Sequence, residues 1–359
     1  MIENIEICFG CTACAIACPH KAIKIKRDKD GFIKPILDTQ KCIGCGICRC
    51  VCPSLKIKVI ELMRGKCQIG YYTGISENSS SGGVAYAIAE YAISLGEKVC
   101  AVKYNTANSS AEHIVVERKD ELNSISGSKY LQSNPYMGLK NILREKSGVI
   151  FGTPCQIAGV RNILNLYKVK KNFLLVDIFC HGVPSELLWH NHLEFLEKQY
   201  GINRHEEVSF RQKSVFSLKI GKYYGDAQVD PFYHMYLTKC VYAEACYQCP
   251  FRRKSAADIR LGDYFLERDN PQSVIITLTN SGRIWLDNLS EKRKICIKNA
   301  SFSDVDKVQD VDAHMPLPRT RERYLELLRA GKSPAAIMGK HRILLQRIKG
   351  VLKKILGKN

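Results

Sequence analysis

The sequence predicts an α+β protein, made of a small duplicated N-terminal unit and a larger α/β domain with a mixed sheet. Two observations predict it. The cysteine run from Cys8 to Pro19 recurs from Cys42 to Pro53 with the same internal spacing, which marks a repeat. From about residue 66 onward, segments with strand patterning alternate with segments of helical period. Between the cysteine runs, Ala22-Ile23-Lys24-Ile25-Lys26 alternates apolar and polar residues, as a half-buried strand does. Asp30-Gly31 turns the chain into a partner strand over Phe32 to Ile36, and Leu55 to Leu62 echoes the first strand. Beyond, strands are expected over Gln68 to Ile75, Val99 to Tyr104, His113 to Glu117, Gly148 to Gly152 and Phe173 to Phe179. Short strands follow over Val208 to Arg211, Ile259 to Asp263 and Val274 to Thr279. Helices are expected over Val84 to Leu95, Pro135 to Lys146, Pro154 to Leu166 and Pro184 to Gln199. The domains read as 1–65, 66–330 and a basic tail, 331–359, whose end forms an amphipathic helix.

The chain has 359 residues, 45% apolar and 25% charged, the balance of a soluble globular protein. No run of about 18 apolar residues is present, so no transmembrane helix is expected. Met1 to Glu6 lacks the basic and apolar blocks of a signal peptide, and cysteines begin at Cys8. Seventeen cysteines, an odd number held mostly in tight clusters, favour metal thiolates in a reducing cytoplasm over a disulfide scaffold. The formal charge of +19 attracts nucleic acid, anionic lipid or acidic proteins. Nucleic acid is the weaker partner, because no stripe of interleaved Arg and aromatic residues occurs.

Cys8, Cys11, Cys14 and Cys18-Pro19 give C-x2-C-x2-C-x3-C-P, and Cys42, Cys45, Cys48 and Cys52-Pro53 repeat it. This is the bacterial two-cluster ferredoxin spacing, in which the fourth cysteine of each run serves the other cluster. Three closely spaced thiolates wrap one 4Fe-4S cube, and the fourth lies on a following turn facing the second. One cluster is therefore expected on Cys8, Cys11, Cys14 and Cys52, the other on Cys42, Cys45, Cys48 and Cys18. Zinc ribbons need only four ligands per ion and fit two identical runs ending in proline poorly. Cys50 reads as a bystander, and Cys67, Cys100 and Cys296 as buried core thiols. The unit is basic, with Lys and Arg outnumbering Asp and Glu, which suits docking of an acidic electron carrier such as ferredoxin.

Six short motifs follow in order: Ser81-Gly82-Gly83-Val84, Gly127-Ser128-Lys129-Tyr130, Gly152-Thr153-Pro154-Cys155-Gln156, Cys180-His181-Gly182-Val183-Pro184-Ser185, Cys246-Tyr247-Gln248-Cys249 and Ala257-Asp258-Ile259-Arg260-Leu261-Gly262-Asp263. Together they resemble the coenzyme F-420 hydrogenase/dehydrogenase beta-subunit family over about residues 68–290. The resemblance implies FAD, an additional 4Fe-4S cluster beside the flavin in some members, and hydride exchange with the deazaflavin coenzyme F-420. Relatives act on other small-molecule substrates, and bacterial ones occur beside polysaccharide genes.

With that resemblance, Asn78 to Gly83 before a helix suits the diphosphate or ribityl chain of FAD, since helix N-termini present free N–H groups. Lys129 is placed to steady an anionic flavin or a substrate phosphate. Cys155 and Cys180 each follow a strand where a helix begins, at the edge where ligands collect. With Cys246 and Cys249 they form the expected ligand set of a third cluster, Cys240 being the reserve. His181 is the candidate proton relay. Asp263 is expected to bond the flavin or the cluster loop, or to cap a turn.

These readings combine into an iron–sulfur flavoprotein oxidoreductase. One rival is a non-catalytic electron-transfer subunit serving a partner enzyme; the other is a nucleic-acid-binding iron–sulfur protein. In the tail, Arg342, Arg347, Lys349, Lys353, Lys354 and Lys358 accompany an apolar face of Leu344, Ile348, Val351 and Ile355. Such a helix either lies on an anionic membrane surface, placing the protein at the inner membrane, or docks on its parent domain. The crossed ligation gives a direct test. Cys18→Ala should damage the cluster held by Cys42, Cys45 and Cys48 and spare that of Cys8, Cys11 and Cys14, read by iron analysis and EPR. Loss of the cluster of its own run would overturn the crossed assignment.

Overall fold

The computed structural model describes residues 5, 7–55, 57–74, 79–167, 172–212, 215–265, 271–311 and 315–339. The amphipathic helix expected over 341–359 and Asn78 lie outside the described residues. In chain order the strands are β1 Ile23–Arg27, β2 Ile33–Leu37, β3 Ile60–Glu61, β4 Lys66–Tyr72, β5 Val99–Asn105, β6 Ser110–Val116, β7 Ser147–Gly152, β8 Asn172–Ile178, β9 Val208–Gln212, β10 Val215–Ile220, β11 Tyr223–Asp226, β12 Lys254–Ser255, β13 Ile259–Tyr264, β14 Gln272–Thr277 and β15 Ile295–Asn299.

The N-terminal unit is the β1–β2 hairpin, with Ile25 opposite Pro35, set between two one-turn helices, Ala13–Ala17 and Ile47–Cys50. Eight strands form one mixed sheet in the order β15-β4-β14-β13-β8-β7-β5-β6. Its centre, β13-β8-β7-β5, is parallel. Alternate residues reach opposite faces. Val149, Leu174, Val176 and Ile275 pack with the helix Val84–Ser94 on one side. Cys100, Ile150, Phe173 and Leu175 pack with the helix Pro154–Tyr167 on the other. A three-stranded sheet, β11-β10-β9, is covered by an aromatic core of Trp189, Phe210, Phe232 and Tyr233.

The strand expected over Leu55 to Leu62 is a correction. Among the described residues of that segment only Ile60 and Glu61 pair, and they pair with β12, not within the N-terminal unit. The chain is drawn there because Leu62 is fully buried in the larger domain, and its N–H donates to the Arg253 carbonyl at 2.8 Å. Cys67 and Cys100 are buried as expected, but Cys296 is exposed, because it sits on the outward face of the edge strand β15. The β10–β11 hairpin, β15 and the helices Asn280–Glu291, Phe302–Gln309 and Arg321–Arg329 are not among the elements expected from the sequence.

The N-terminal unit is seated on the larger domain by specific contacts. Ile33 N–H donates to Gln132 Oε1 at 2.9 Å, and Arg27 donates to the Gln132 carbonyl at 3.1 Å. Arg27 also pairs with Glu186, and Arg329 with Asp30. Within the large sheet, Asp258 Oδ2 accepts from Leu175 N–H at 2.8 Å, while its Oδ1 accepts from Arg161 at 3.0 Å and Thr279 at 2.7 Å. Asp258 therefore ties β8, the Pro154–Tyr167 helix and the segment after β14.

One buried ion pair joins strands to loops. Arg260 on β13 forks onto Asp177 on β8, Nε to Oδ1 at 2.7 Å and Nη2 to Oδ2 at 2.6 Å. Both residues are at most 1% exposed. The remaining Arg260 donors hold the Phe251 carbonyl at 2.8 Å and the Lys254 carbonyl at 3.1 Å. Removing one partner of such a pair costs about 3–5 kcal/mol, because the other charge stays buried. Arg260→Met should lower stability by that order in denaturant unfolding, and Asp177→Leu added to it should restore much of the loss. A neutral single variant would show that the pair is not structural.

Candidate functional site: three cysteine groups and the carboxyl edge of the sheet

The N-terminal cysteine runs share a backbone device. The residue before the second cysteine of each run and the residue after it lie at positive φ: Gly10 at 69° and Thr12 at 61°, Gly44 at 72° and Gly46 at 76°. Alternation of this kind turns successive N–H groups inward into a concavity that suits iron–sulfur and other anionic centres. Thr12 is a β-branched residue held in a left-handed conformation, a strained state. Backbone N–H groups of Gly10, Ala13 and Ala15 donate to the sulfurs of Cys8, Cys11 and Cys14. That favours their thiolates.

Cys8, Cys11, Cys14 and Cys52 line one cavity together with Phe9 and Gly10. Cys52 comes from the second run, so the cavity gathers the crossed set expected from spacing. Burial raises all three first-run thiols, Cys11 to about 12. Cys18, Cys42 and Cys48 pack by the hydrophobic patch of Ile23 and Leu37, and the charges of Cys45 and Cys42 act on Cys48. Cys45 is exposed, as is the bystander Cys50.

Cys155, Cys180, Cys246 and Cys249, spread over 95 positions of chain, line a second cavity. The folding reason is local to each. Pro154 starts a helix directly after β7, and Thr153 N–H is held by Gln156 Oε1 at 2.8 Å, which presents Cys155 at the strand end. Thr153 Oγ1 lies 3.2 Å from the Cys155 sulfur. Cys180 follows β8. Gly182 then takes φ 120°, and a methyl there would fall 2.2 Å from the Tyr242 ring. That close turn lets Gly182 N–H donate to Cys180 and Val183 N–H to Cys246. Cys249 accepts from Phe251 N–H, and the Phe251 carbonyl is the one that Arg260 holds. Burial raises all four thiols, Cys249 to about 11.

Desolvation without a compensating cation disfavours thiolate, and metal coordination supplies the compensation. Among the described residues no group of three His, Cys, Asp or Glu side chains is arranged to hold a single metal ion. The cysteines instead surround cavities with amide donors aimed at sulfur, a donor set that fits iron–sulfur clusters. Cys240, the reserve ligand, is not among the residues lining this cavity; its thiol donates to the Met235 carbonyl at 3.3 Å.

The expected flavin residues also lie at this edge, where β4, β13, β8, β7 and β5 end. Gly82 is packed against the backbone of Gly70 and Ser273, and Gly83 precedes the helix Val84–Ser94 at φ 76°. Ser81 Oγ lies 3.2 Å from Ser273 Oγ. Ser80 Oγ accepts from Ser128 N–H at 2.9 Å, which brings the first two motifs together. Lys129 Nζ donates to the Ser126 carbonyl at 2.6 Å. Asp263 does not stand free: Arg211 donates to its Oδ2 at 2.5 Å and to Tyr130 at 3.4 Å. Phe216 and Phe265 flank the Arg211 guanidinium, 5.0 and 4.5 Å from its carbon. Its Nε and Nη2 are buried without a partner among the described residues. Arg211 was missed in the sequence because β9 reads as an ordinary short strand. The imidazole of His181, beside Cys180, is partly desolvated, which together with the Lys239 and Arg252 charges lowers its pKa.

These features define an iron–sulfur electron-transfer protein. Residues 7–55 match the family described as 4Fe-4S dicluster domain. Residues 146–302 match the carboxyl-terminal region of the coenzyme F420 hydrogenase/dehydrogenase beta subunit. The chain thus carries one stretch similar to a 4Fe-4S dicluster domain and a second similar to the carboxyl-terminal region of that beta subunit. No curated protein matches the sequence. A chain of the F420-reducing [NiFe] hydrogenase complex from Methanosarcina barkeri is similar over 76% of this chain and 93% of its own, at 15% identity and a TM-score of 0.49. Among the described residues no helix is long and apolar enough to cross a membrane.

Lys129 carries a pH signature. Burial pushes its amine down to about 7, opposed by the charge of Glu207. A lysine whose folded pKa lies below its unfolded value destabilises the fold fully below the folded pKa. The penalty fades as pH rises from about 7 to about 10.4. Lys129→Met should therefore raise Tm at pH 6 and change it little at pH 10. An equal effect at both pH values would show that the amine is not desolvated.

Proposed function

We propose that this chain is an iron–sulfur flavoprotein oxidoreductase that exchanges electrons between one-electron carriers and a two-electron acceptor or donor. The deazaflavin coenzyme F-420 is the first candidate, and another small molecule the second. The observation that carries the reading is the convergence of Cys155, Cys180, Cys246 and Cys249 on one cavity whose wall includes Phe9 and Gly10. Those two residues also line the cavity of Cys8, Cys11, Cys14 and Cys52. A third cluster there would stand next to the N-terminal pair, in the body of the oxidoreductase domain.

FAD, when bound, supplies the conversion between single electrons and hydride. The residues assigned to hold it are Ser81 and Gly83 at the start of the Val84–Ser94 helix, Lys129 and Arg211. Buried unpaired donors are costly, and the open Nε–Nη2 side of Arg211 matches an anionic group in two-point contact. Asp263 is assigned to orienting Arg211, since its carboxylate accepts from that side chain. Ser80 holds the Lys129 loop in place through Ser128. The Gly182 turn packs closely on Tyr242 and Cys246, which fixes the backbone between Cys180 and Cys246.

Anaerobically prepared protein should contain about twelve iron atoms and release FAD on denaturation. Reduced deazaflavin should bleach its flavin band. FAD absent after reconstitution would favour the non-catalytic electron-transfer subunit, and flavin reduced by dithionite but never by deazaflavin would select another substrate.

A further inference from the structure

The three cysteine groups differ in what surrounds them. Cys45 is exposed, and Ile43 beside it is 67% exposed. Cys18, Cys42 and Cys48 are half-buried. Lys21, Lys41 and Arg49, each within three residues of one of these cysteines, are exposed, Lys41 pairing with Asp38 at 3.6 Å. The Cys8, Cys11, Cys14 and Cys52 group shares Phe9 and Gly10 with the cavity of Cys155, Cys180, Cys246 and Cys249. The thiol of Cys155 feels the charge of Cys11. Phe9 meets Phe251 edge to face, ring centroids 5.5 Å apart, and packs on the same cluster of Ala158, Phe251 and Ala256 as Cys155 and Cys249 do.

Gly159 lies in the helix Pro154–Tyr167, one turn on from Cys155. A glycine inside a helix costs about 1 kcal/mol relative to alanine. Here it leaves room: a methyl at Gly159 would fall 2.8 Å from Ala13 Cβ and 3.3 Å from the Cys11 sulfur. The first cysteine loop thus rests directly on the helix that presents Cys155.

We propose that the three groups form one electron line of fixed order. The Cys18, Cys42, Cys45 and Cys48 centre is the outer port, the Cys8, Cys11, Cys14 and Cys52 centre the middle station, and the Cys155, Cys180, Cys246 and Cys249 centre the inner one. The port takes a small acidic one-electron carrier protein, matched by Lys21, Lys41 and Arg49 around exposed Ile43. Gly159 is a positioning residue that sets the gap between middle and inner stations. Each transfer moves one electron, oxidising the carrier and reducing the port, with no bond made or broken. The order rests on the reading that all three groups hold clusters.

The test uses anaerobic full-length holoprotein, iron analysis and EPR with a soluble dysprosium complex as a relaxation probe. The signal lost in Cys45→Ser should be the one most broadened by dysprosium. The signal lost in Cys11→Ser should be shielded and show magnetic interaction with the third, and Gly159→Leu should weaken that interaction. Reduction by an acidic ferredoxin, followed by stopped-flow absorbance, should slow with added salt and slow by about tenfold in Lys41→Glu/Arg49→Glu. Twelve irons with dysprosium acting first on the Cys11-dependent signal would overturn the order alone. Iron near eight would remove the inner station, and with it both the order and the reading beneath it.

Discussion

The Asp177–Arg260 pair is the interaction on which the site depends. Asp177 lies on β8, one strand residue before Ile178 and three before Cys180, and Arg260 lies on the neighbouring β13. Two charges are buried only because each fills the other's fork, with Ser255 Oγ donating to Asp177 at 2.7 Å. The guanidinium then spends its remaining donors on carbonyls of the segment after Cys249. One pair therefore fixes the strand that delivers Cys180 and the loop that delivers Cys249. Carbonyls left without donors in that loop would carry a desolvation cost of their own.

A second constraint is the seat of the N-terminal unit. Its hairpin and first cysteine loop touch Gln132, Glu186 and Gly159, which belong to different elements of the larger domain. A two-cluster unit held by a single linker would tumble, and its distance to the next centre would vary. Here the turn at Gly31 rests on the start of the Glu186–Tyr200 helix, and Ser185 donates to the Asp30 carbonyl at 2.5 Å. The unit is built into the domain it serves, and β3 pairing with β12 continues that seam.

At the carboxyl edge of the sheet, two kinds of unmet demand lie near one another. Buried thiols favour a cationic metal, and two buried donors of Arg211 have no partner among the described residues. The parallel strands explain why both collect there: their ends lead into loops free to carry chemistry. Apolar residues of the same strands stay on the two faces, so the core and the site do not compete for positions.

The repeat, the alternation and the order of elements are written locally in the chain. Most strands and helices fall within a few residues of their patterned segments, because alternation and helical period are local consequences of which face is buried. The eight N-terminal cysteines were legible for the same reason: their spacing is set within each run. Helices such as Asn280–Glu291 and the β10–β11 hairpin were missed, since weak local patterns gain their stability from packing. Folding in three dimensions settled the rest: Cys296 is outward, Cys240 stands apart, Asp263 is engaged by Arg211, and Cys155, Cys180, Cys246 and Cys249 meet. Those outcomes depend on strand order and on contacts between residues far apart in the chain, such as Asp177 with Arg260 and Gly159 with Ala13. Periodicity carries no record of them, because it reports which face of an element is buried and not what covers it.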